Sequence, residues 1–251
     1  MIHFVGAGPG ASDLITLRGA RLLKEAGMII YAGSLVNPEL LKYAEKGCEI
    51  YDSAGMTLDE VIEKLSDAHG RGIDAVRLHT GDPSIYGAIR EQMDRLKELG
   101  IPYDITPGVS SFCAAAAAAE AEYTLPSVSQ TVIITRMEGR TPVPDREKIR
   151  SLAAHHASMV LFLSSGMLEA LSSELIAGGY EPDTHAALVY KASWPEQKLV
   201  RGRLADIPRL AAEAGIDRTA LVLVGDFLGD EYELSKLYDK HFSHGYRKAA
   251  E

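Results

Sequence analysis

Strand-length apolar runs alternate with amphipathic helical stretches along this 251-residue chain, and that alternation restricts its fold more than any other feature. In the first half the apolar runs fall at 2–5, 28–31, 75–78 and 103–105, with helical periodicity near 17–26, 38–46, 57–70 and 86–99 between them. Strands joined through helices are crossover-connected, so they are expected to lie parallel in a sheet covered by helices. A helix from Ser110 to about Ala121 follows, with an unbroken alanine run from Ala114 to Ala119. Alanine is the strongest helix former and gives a narrow body that packs close to a neighbour.

Thr124-Leu125-Pro126-Ser127 breaks the helical pattern and reads as a linker. Beyond it, strands are expected near 131–135, 158–163, 185–190, 197–202 and 219–224, with helices near 146–155, 167–177 and 206–213. Some of these later strands follow one another without an intervening helix, which favours antiparallel pairs. The expectation is an α/β protein of two domains, 1–123 and 124–251, with a mostly parallel sheet in the first and a mixed sheet in the second.

Composition excludes several classes. Hydrophobic residues at 46% and charged residues at 24% are ordinary for a globular protein. No apolar run reaches the roughly 18 residues that span a bilayer, and no basic segment precedes a signal-like apolar one. Cys48 and Cys113 lack metal-type spacing and suit a reducing compartment, so a cytoplasmic protein without a metal site is expected. A net charge of -9 argues against nucleic acid as the main partner.

Val5-Gly6-Ala7-Gly8-Pro9-Gly10-Ala11 follows the first strand and leaves a backbone edge bare of side chains, open to close approach by a ligand. Its spacing fits the dinucleotide pattern G-x-G-x-x-G/A. A dinucleotide site also needs an acidic residue about 20 positions further on, at the end of the second strand. Met28-Ile29-Ile30-Tyr31 is followed instead by Ala32-Gly33-Ser34. The first helix also starts late, with Thr16 or Ser12 as its better N-cap. An NAD-binding oxidoreductase is therefore the weaker alternative.

Two further loops follow strands at the same expected edge. Thr80-Gly81-Asp82-Pro83-Ser84-Ile85-Tyr86-Gly87 offers a carboxylate, and its place after a strand at the same edge as the glycine loop favours a ligand role over a plain Asp-Pro turn capping the next helix. Thr106-Pro107-Gly108-Val109-Ser110-Ser111-Phe112 offers backbone groups, with Ser110 a natural N-cap. Three such loops on the carboxyl edge of a parallel sheet make the floor of a ligand cleft.

In the second half, Arg136 and Arg140 can pair with carboxylates, while Tyr190-Lys191-Ala192-Ser193-Trp194-Pro195 carries the only tryptophan, either a packing residue or a ligand platform. His155 and His156 read as a helix end, and residues 235–248 form a basic, aromatic tail. No Ser-His-Asp order, H-E-x-x-H helix or Walker lysine appears. The chain presents binding loops rather than acid–base machinery, which suits a reaction whose cofactor already carries the activated group.

Gly6-Ala7-Gly8-Pro9-Gly10 with Leu14-Ile15-Thr16, then Gly81-Asp82-Pro83-Ser84-Ile85-Tyr86-Gly87, then Pro107-Gly108-Val109-Ser110-Ser111, resemble the tetrapyrrole (corrin/porphyrin) methylases, in the same order over nearly the whole chain. Tyr31-Ala32-Gly33-Ser34-Leu35-Val36, Arg140-Thr141-Pro142-Val143-Pro144, Val189-Tyr190-Lys191-Ala192-Ser193-Trp194-Pro195 and the 235–248 tail resemble one branch of that family. That branch methylates the C11 carbon of a precorrin, with or without cobalt, on the way to cobalamin. One departure is visible: the family places an acidic residue directly after the glycine loop, where this chain has Ala11-Ser12, with Asp13 next.

The resemblance implies a two-domain α/β fold with S-adenosylmethionine in the cleft between the domains, leaving as S-adenosylhomocysteine. Pro9, Gly81, Asp82, Ile85, Tyr86, Ser110 and Phe112 would contact it from the first domain, and Phe162, Ala192, Thr219, Ala220 and Leu221 from the second. Asp82 and Arg136 are the candidates for a part in the chemistry. A polycarboxylate tetrapyrrole needs a basic rim, for which Arg136, Arg140, Lys191 and Lys198 are the candidates. The family is also typically homodimeric. Its other acceptors, uroporphyrinogen-III, precorrin-3B, a diphthamide precursor and ribosomal RNA, stay open as alternatives.

Overall fold

A computed structural model describes residues 1–33 and 35–249, so Ser34 of the Tyr31–Val36 motif lies outside the described residues. The chain divides into two compact units, Met1–Ala114 with Ala192–Pro195, and Ala115–Lys191 with Glu196–Glu251.

The first unit holds a five-stranded sheet of β1 (Ile2–Gly6), β2 (Met28–Tyr31), β3 (Glu49–Asp52), β4 (Ala75–His79) and β5 (Tyr103–Thr106), in the order β3-β2-β4-β1-β5. Every pairing is parallel. Period-two alternation sends Phe4, Met28, Ile30 and Ala75 to one face and Val5, Ile29, Val76 and Leu78 to the other, and both faces are buried.

Helix α1 (Leu17–Glu25) covers the second face through Leu23, while α2 (Leu58–Gly70) and α3 (Ile89–Glu98) cover the first through Leu65, Ile89 and Leu96. Thr16 caps α1 by accepting from the Gly19 amide at 3.0 Å. Thr57 and Glu60 close a capping box on α2. The chain thus leaves β1 over one face and β4 over the other. The topological switch point lies between these two neighbouring strands.

Two elements differ from the sequence expectation. Strand β3 is an edge strand of four residues whose side chains are alternately half-buried and exposed, and its two end residues are Glu49 and Asp52, so it carries no apolar run. The expected helix at 38–46 is a six-residue 3-10 helix of two turns, Pro38–Tyr43, capped by Asn37.

Helix α4 (Ser111–Ala118) is the alanine-rich element, and the principal boundary between the units falls inside it. The second unit pairs β6 (Val132–Arg136), β7 (Ser158–Phe162), β8 (His185–Tyr190), β9 (Lys198–Arg203) and β10 (Ala220–Val224) in the order β6-β7-β10-β8-β9. Only β6 and β7 run parallel. Helices α5 (Ile149–Ala153), α6 (Leu168–Ala177) and α7 (Ile207–Ala214) bury one face of this sheet around Met159, Leu161, Leu188 and Val222.

No helix among the described residues is long and apolar enough to cross a membrane.

Candidate functional site

At the carboxyl edge of the first sheet, the loops after β4, β1 and β5 stand side by side because those strands are neighbours. They bond to one another. The Ala7 amide donates to His79 O at 2.7 Å, the Gly81 amide to Gly8 O at 2.8 Å, and the Gly8 amide to Gly81 O at 3.3 Å. This antiparallel bridge closes the switch-point crevice in which a dinucleotide would sit. The absence of an acidic partner after β2 thus has a structural counterpart.

The glycines serve this packing. A Cβ on Gly6 would lie 2.5 Å from Gly108 Cα and 2.6 Å from Gly81 O, and one on Gly108 would lie 2.1 Å from Gly81 O. Gly8, at φ +80°, has a left-handed backbone that favours glycine. Other backbone therefore fills the space a side chain would take at Gly6 and Gly108.

Asp82 ties the arrangement together. One carboxylate oxygen accepts from the Gly108 amide at 2.9 Å, and the other from the Ser84 amide at 2.9 Å and from the Ser84 hydroxyl. Partial burial raises the carboxyl pKa, and the hydrogen bonds from Ser84 and Gly108 outweigh it, leaving the group below its ordinary value and ionised. Pro9, Gly81 and Ser110 are buried beside it, Ile85 and Phe112 are half-buried, and Tyr86 is exposed at φ 55°.

Beneath the loops, on the α3 face of β4, lie two groups not singled out from the sequence. Arg77 is buried and donates to Gln92 Oε1 and Ile30 O, with burial lowering its pKa to about 10. His79 is 3% exposed, its Nε2 has no hydrogen-bond partner among the described residues, and burial followed by the Arg77 charge lowers its pKa to about 3.

The first loop is also held by side chains remote in sequence. Asn37 Nδ2 donates to Gly10 O at 2.8 Å, the Trp194 indole N–H to Pro9 O at 3.2 Å, and the Ala11 amide to Ser193 Oγ at 3.0 Å. Ala192, a candidate cofactor residue, is buried in this same segment, which groups with the first unit. Trp194 is therefore a packing residue on the glycine loop. Asn37 was not foreseen, because its only visible signal is a helix-cap position before a proline.

In the second unit, strand directions bring Arg136, Phe162, Lys191, Thr219 and Ala220 to one edge of the sheet. Arg136 pairs in register with Phe162, and Leu223 with Val160. Alternation therefore places Phe162 and Leu221 on the same face, away from helices α5–α7. Leu163, Lys191 and Thr219, at φ 53°, 45° and 55°, concentrate left-handed non-glycine backbone at this edge, a feature that collects at functional sites. Leu163 is 64% exposed.

The cations there differ in disposition. Arg136 donates to Met137 O, Thr141 O and Pro142 O, so its guanidinium organises the loop that follows β6. Arg140 is exposed on that loop. Lys191 lies 3.8 Å from Glu196. Lys198 donates to Ala214 O.

The family model described as Tetrapyrrole (Corrin/Porphyrin) Methylases matches residues 1–208. The chain is 54% identical over 249 residues to a cobalt-precorrin-4 C(11)-methyltransferase from Methanocaldococcus jannaschii, covering 99% of this chain and 96% of that one. It is similar to the X-ray structure of a cobalt precorrin-4 methyltransferase, described as a cobalamin biosynthetic enzyme. The TM-score is 0.89 and the identity 46%, over 91% of this chain and 96% of that one. It is also similar to a uroporphyrin-III C-methyltransferase from Thermus thermophilus crystallised with S-adenosylhomocysteine. There the TM-score is 0.73 and the identity 28%, over 90% and 92% of the two chains.

Proposed function

The chain belongs to the tetrapyrrole (corrin/porphyrin) methylases, and from that premise we propose that it methylates C11 of precorrin-4 at the expense of S-adenosylmethionine. The cobalt form is the favoured substrate, from the name its archaeal relative carries. The observation behind this reading is a likeness to that relative sustained along essentially the whole chain, tail included.

The donor set fits S-adenosylmethionine. Asp82 presents an ionised carboxylate suited to a sulfonium or an ammonium group. Ile85, Phe112 and Phe162 are half-buried apolar residues suited to an adenosyl group, Leu221 is a buried one, and Thr219 offers an exposed hydroxyl. Pro9, Gly81, Tyr86, Ser110, Ala192 and Ala220 complete the set we assign to the cofactor. When bound, S-adenosylmethionine supplies a methyl group whose S–C bond breaks as the ring carbon's electron pair forms the new C–C bond, leaving the neutral thioether of S-adenosylhomocysteine.

The residues need only orient the reactants and keep water out, because a well-aligned pair of reactants already gains much of the rate. Arg140 and Lys191 supply positive charge for the substrate's carboxylates, and Arg136 holds Arg140's loop in place. The exposed aromatics Tyr238 and Tyr246 of the C-terminal segment give surface for a second copy, and we propose a homodimer. Free thiols at Cys48 and Cys113 support a cytoplasmic setting.

The test is a turnover assay with S-adenosylmethionine and precorrin-4, with and without cobalt, read by mass spectrometry. Gain of one methyl at C11 is expected. Methylation only of uroporphyrinogen-III or precorrin-3B would overturn the assignment, as would thermal stabilisation by NAD and not by S-adenosylhomocysteine.

A further inference from the structure

Gly10 lacks a side chain because an indole occupies the space. A Cβ built there would lie 2.1 Å from Trp194 Cδ1 and 2.3 Å from Trp194 Nε1. Its backbone is not left-handed, so the indole is what excludes alanine. Pro9, Gly10 and Ala11 are each anchored by a different side chain, from Trp194, Asn37 and Ser193 respectively. Two of those anchors come from a four-residue strap, Ala192–Pro195, that lies in sequence between β8 and β9 yet groups with the first unit. Ser193 takes a left-handed conformation at φ 69°, which a serine adopts at a cost and keeps only where its surroundings fix it.

We propose that Trp194 is a positioning residue for methyl transfer. It fixes the place of Pro9–Ala11, so that the wall offered to the cofactor is set before the cofactor arrives. The inference rests on reading this edge as an S-adenosylmethionine site. Preformed walls bind more tightly because less has to be ordered on binding. A loop free to sample other positions would bind in proportion to the fraction of time it spends in the right one.

The probe is S-adenosylhomocysteine, titrated by calorimetry into the full chain and the variants Trp194→Phe, Trp194→Ala, Gly10→Ala and the double variant Gly10→Ala/Trp194→Ala. Trp194→Ala should weaken binding about tenfold or more, and Trp194→Phe, which keeps a ring against Gly10 but loses the N–H donated to Pro9 O, should recover part of that loss. Gly10→Ala should lose at least as much, because it pushes the indole away. The double variant should bind no worse than Trp194→Ala alone, a non-additive cycle that marks direct contact.

Trp194 is the only tryptophan, so its emission reports this contact directly and should be that of a packed indole before S-adenosylhomocysteine is added to the wild-type chain. A double variant whose loss is the product of the two single losses would overturn the proposal, since Gly10 would then face the ligand. Wild-type emission that moves from an exposed, mobile indole to a packed one only at saturating ligand would overturn it as well, since the loop would then be ordered by binding. If the wild-type chain binds no S-adenosylhomocysteine, the cofactor reading fails. The indole–glycine contact is then judged by the same double-mutant cycle on the urea midpoint.

Discussion

Asp82 Oδ2 accepts the Gly108 amide proton at 2.9 Å across 26 residues of sequence, pinning the loop after β4 to the loop after β5. The bond falls where three strand ends meet, so one carboxylate sets the spacing of the site's floor. Asp82→Ala should destabilise the protein by about 1–3 kcal/mol, the cost of leaving a partly buried amide without its acceptor. It should also weaken S-adenosylhomocysteine binding, whereas Asp82→Asn should keep more of the stability than of the binding. The pKa of Asp82 is depressed in the folded state, so its contribution is full above the ordinary value of 3.8 and is lost as pH falls below it. Urea titrations at neutral and acid pH check both points. A neutral-pH stability equal to wild type in Asp82→Ala would refute the pin.

Gly6→Ala and Gly108→Ala should each cost about 2 kcal/mol or more, because their new methyl groups meet backbone that cannot rotate away. Gly55 is the control. A Cβ there meets nothing within 4 Å and its φ is not left-handed, so Gly55→Ala should be neutral or slightly stabilising, by up to about 1 kcal/mol. Thermal melts of the three variants decide it, and equal melting of all three would remove the packing explanation.

Arg136 and Arg140 should separate by ligand. Arg140→Glu changes an exposed charge and should raise KM for the tetrapyrrole several-fold with no change in affinity for S-adenosylhomocysteine. Arg136→Ala should weaken the tetrapyrrole at least as much, because its guanidinium holds Thr141 O and Pro142 O and thereby Arg140's loop. Arg136→Lys cannot restore it, since an ammonium lacks the planar fork that reaches several carbonyls. Calorimetry with each ligand in turn reads the split, and equal losses for both ligands would count against the assignment.

His79 should make the protein acid-labile. Its folded pKa of about 3 lies below the ordinary 6.5, so as pH falls from 6.5 towards 3 the unfolded chain takes up a proton that the folded chain refuses. Stability is lost across that window, by about 3 kcal/mol between pH 7 and pH 4. His79→Leu should flatten the dependence by that amount, whatever its effect at pH 7. An unchanged slope would mean that the ring charges without cost.

Much of the architecture was legible in the residues. Apolar runs such as Met28–Tyr31 and Ala75–Leu78, set between helical stretches, announce buried parallel strands, and Thr16 announces where the first helix begins. Strand β3 was not legible, because an edge strand with side chains alternately half-buried and exposed needs no apolar run. In the site, the Gly81 and Gly108 loops were recognisable from their position after strands. Their mutual contact was not, because local spacing cannot tell a glycine bare for a ligand from one bare for another backbone. The Trp194 anchor was beyond reach for a similar reason, since the contact from Pro9 to Trp194 spans 185 residues and leaves no periodic trace. Arg136 looked like a free cation in sequence. Only the folded loop shows how many carbonyls it already serves.

The interlocked glycines also constrain how the protein is made. Strand β1 leaves the ribosome well before its partners β4 and β5. A nascent chain therefore carries a finished first strand with both edges unsatisfied, and the floor of the site cannot assemble until Gly108 has emerged to meet Gly6 and Gly81. Non-local pairings of this kind close slowly, since long loops must be ordered before any contact rewards them. Stalled intermediates ending before β5 should expose an open sheet edge and be the species most in need of a chaperone.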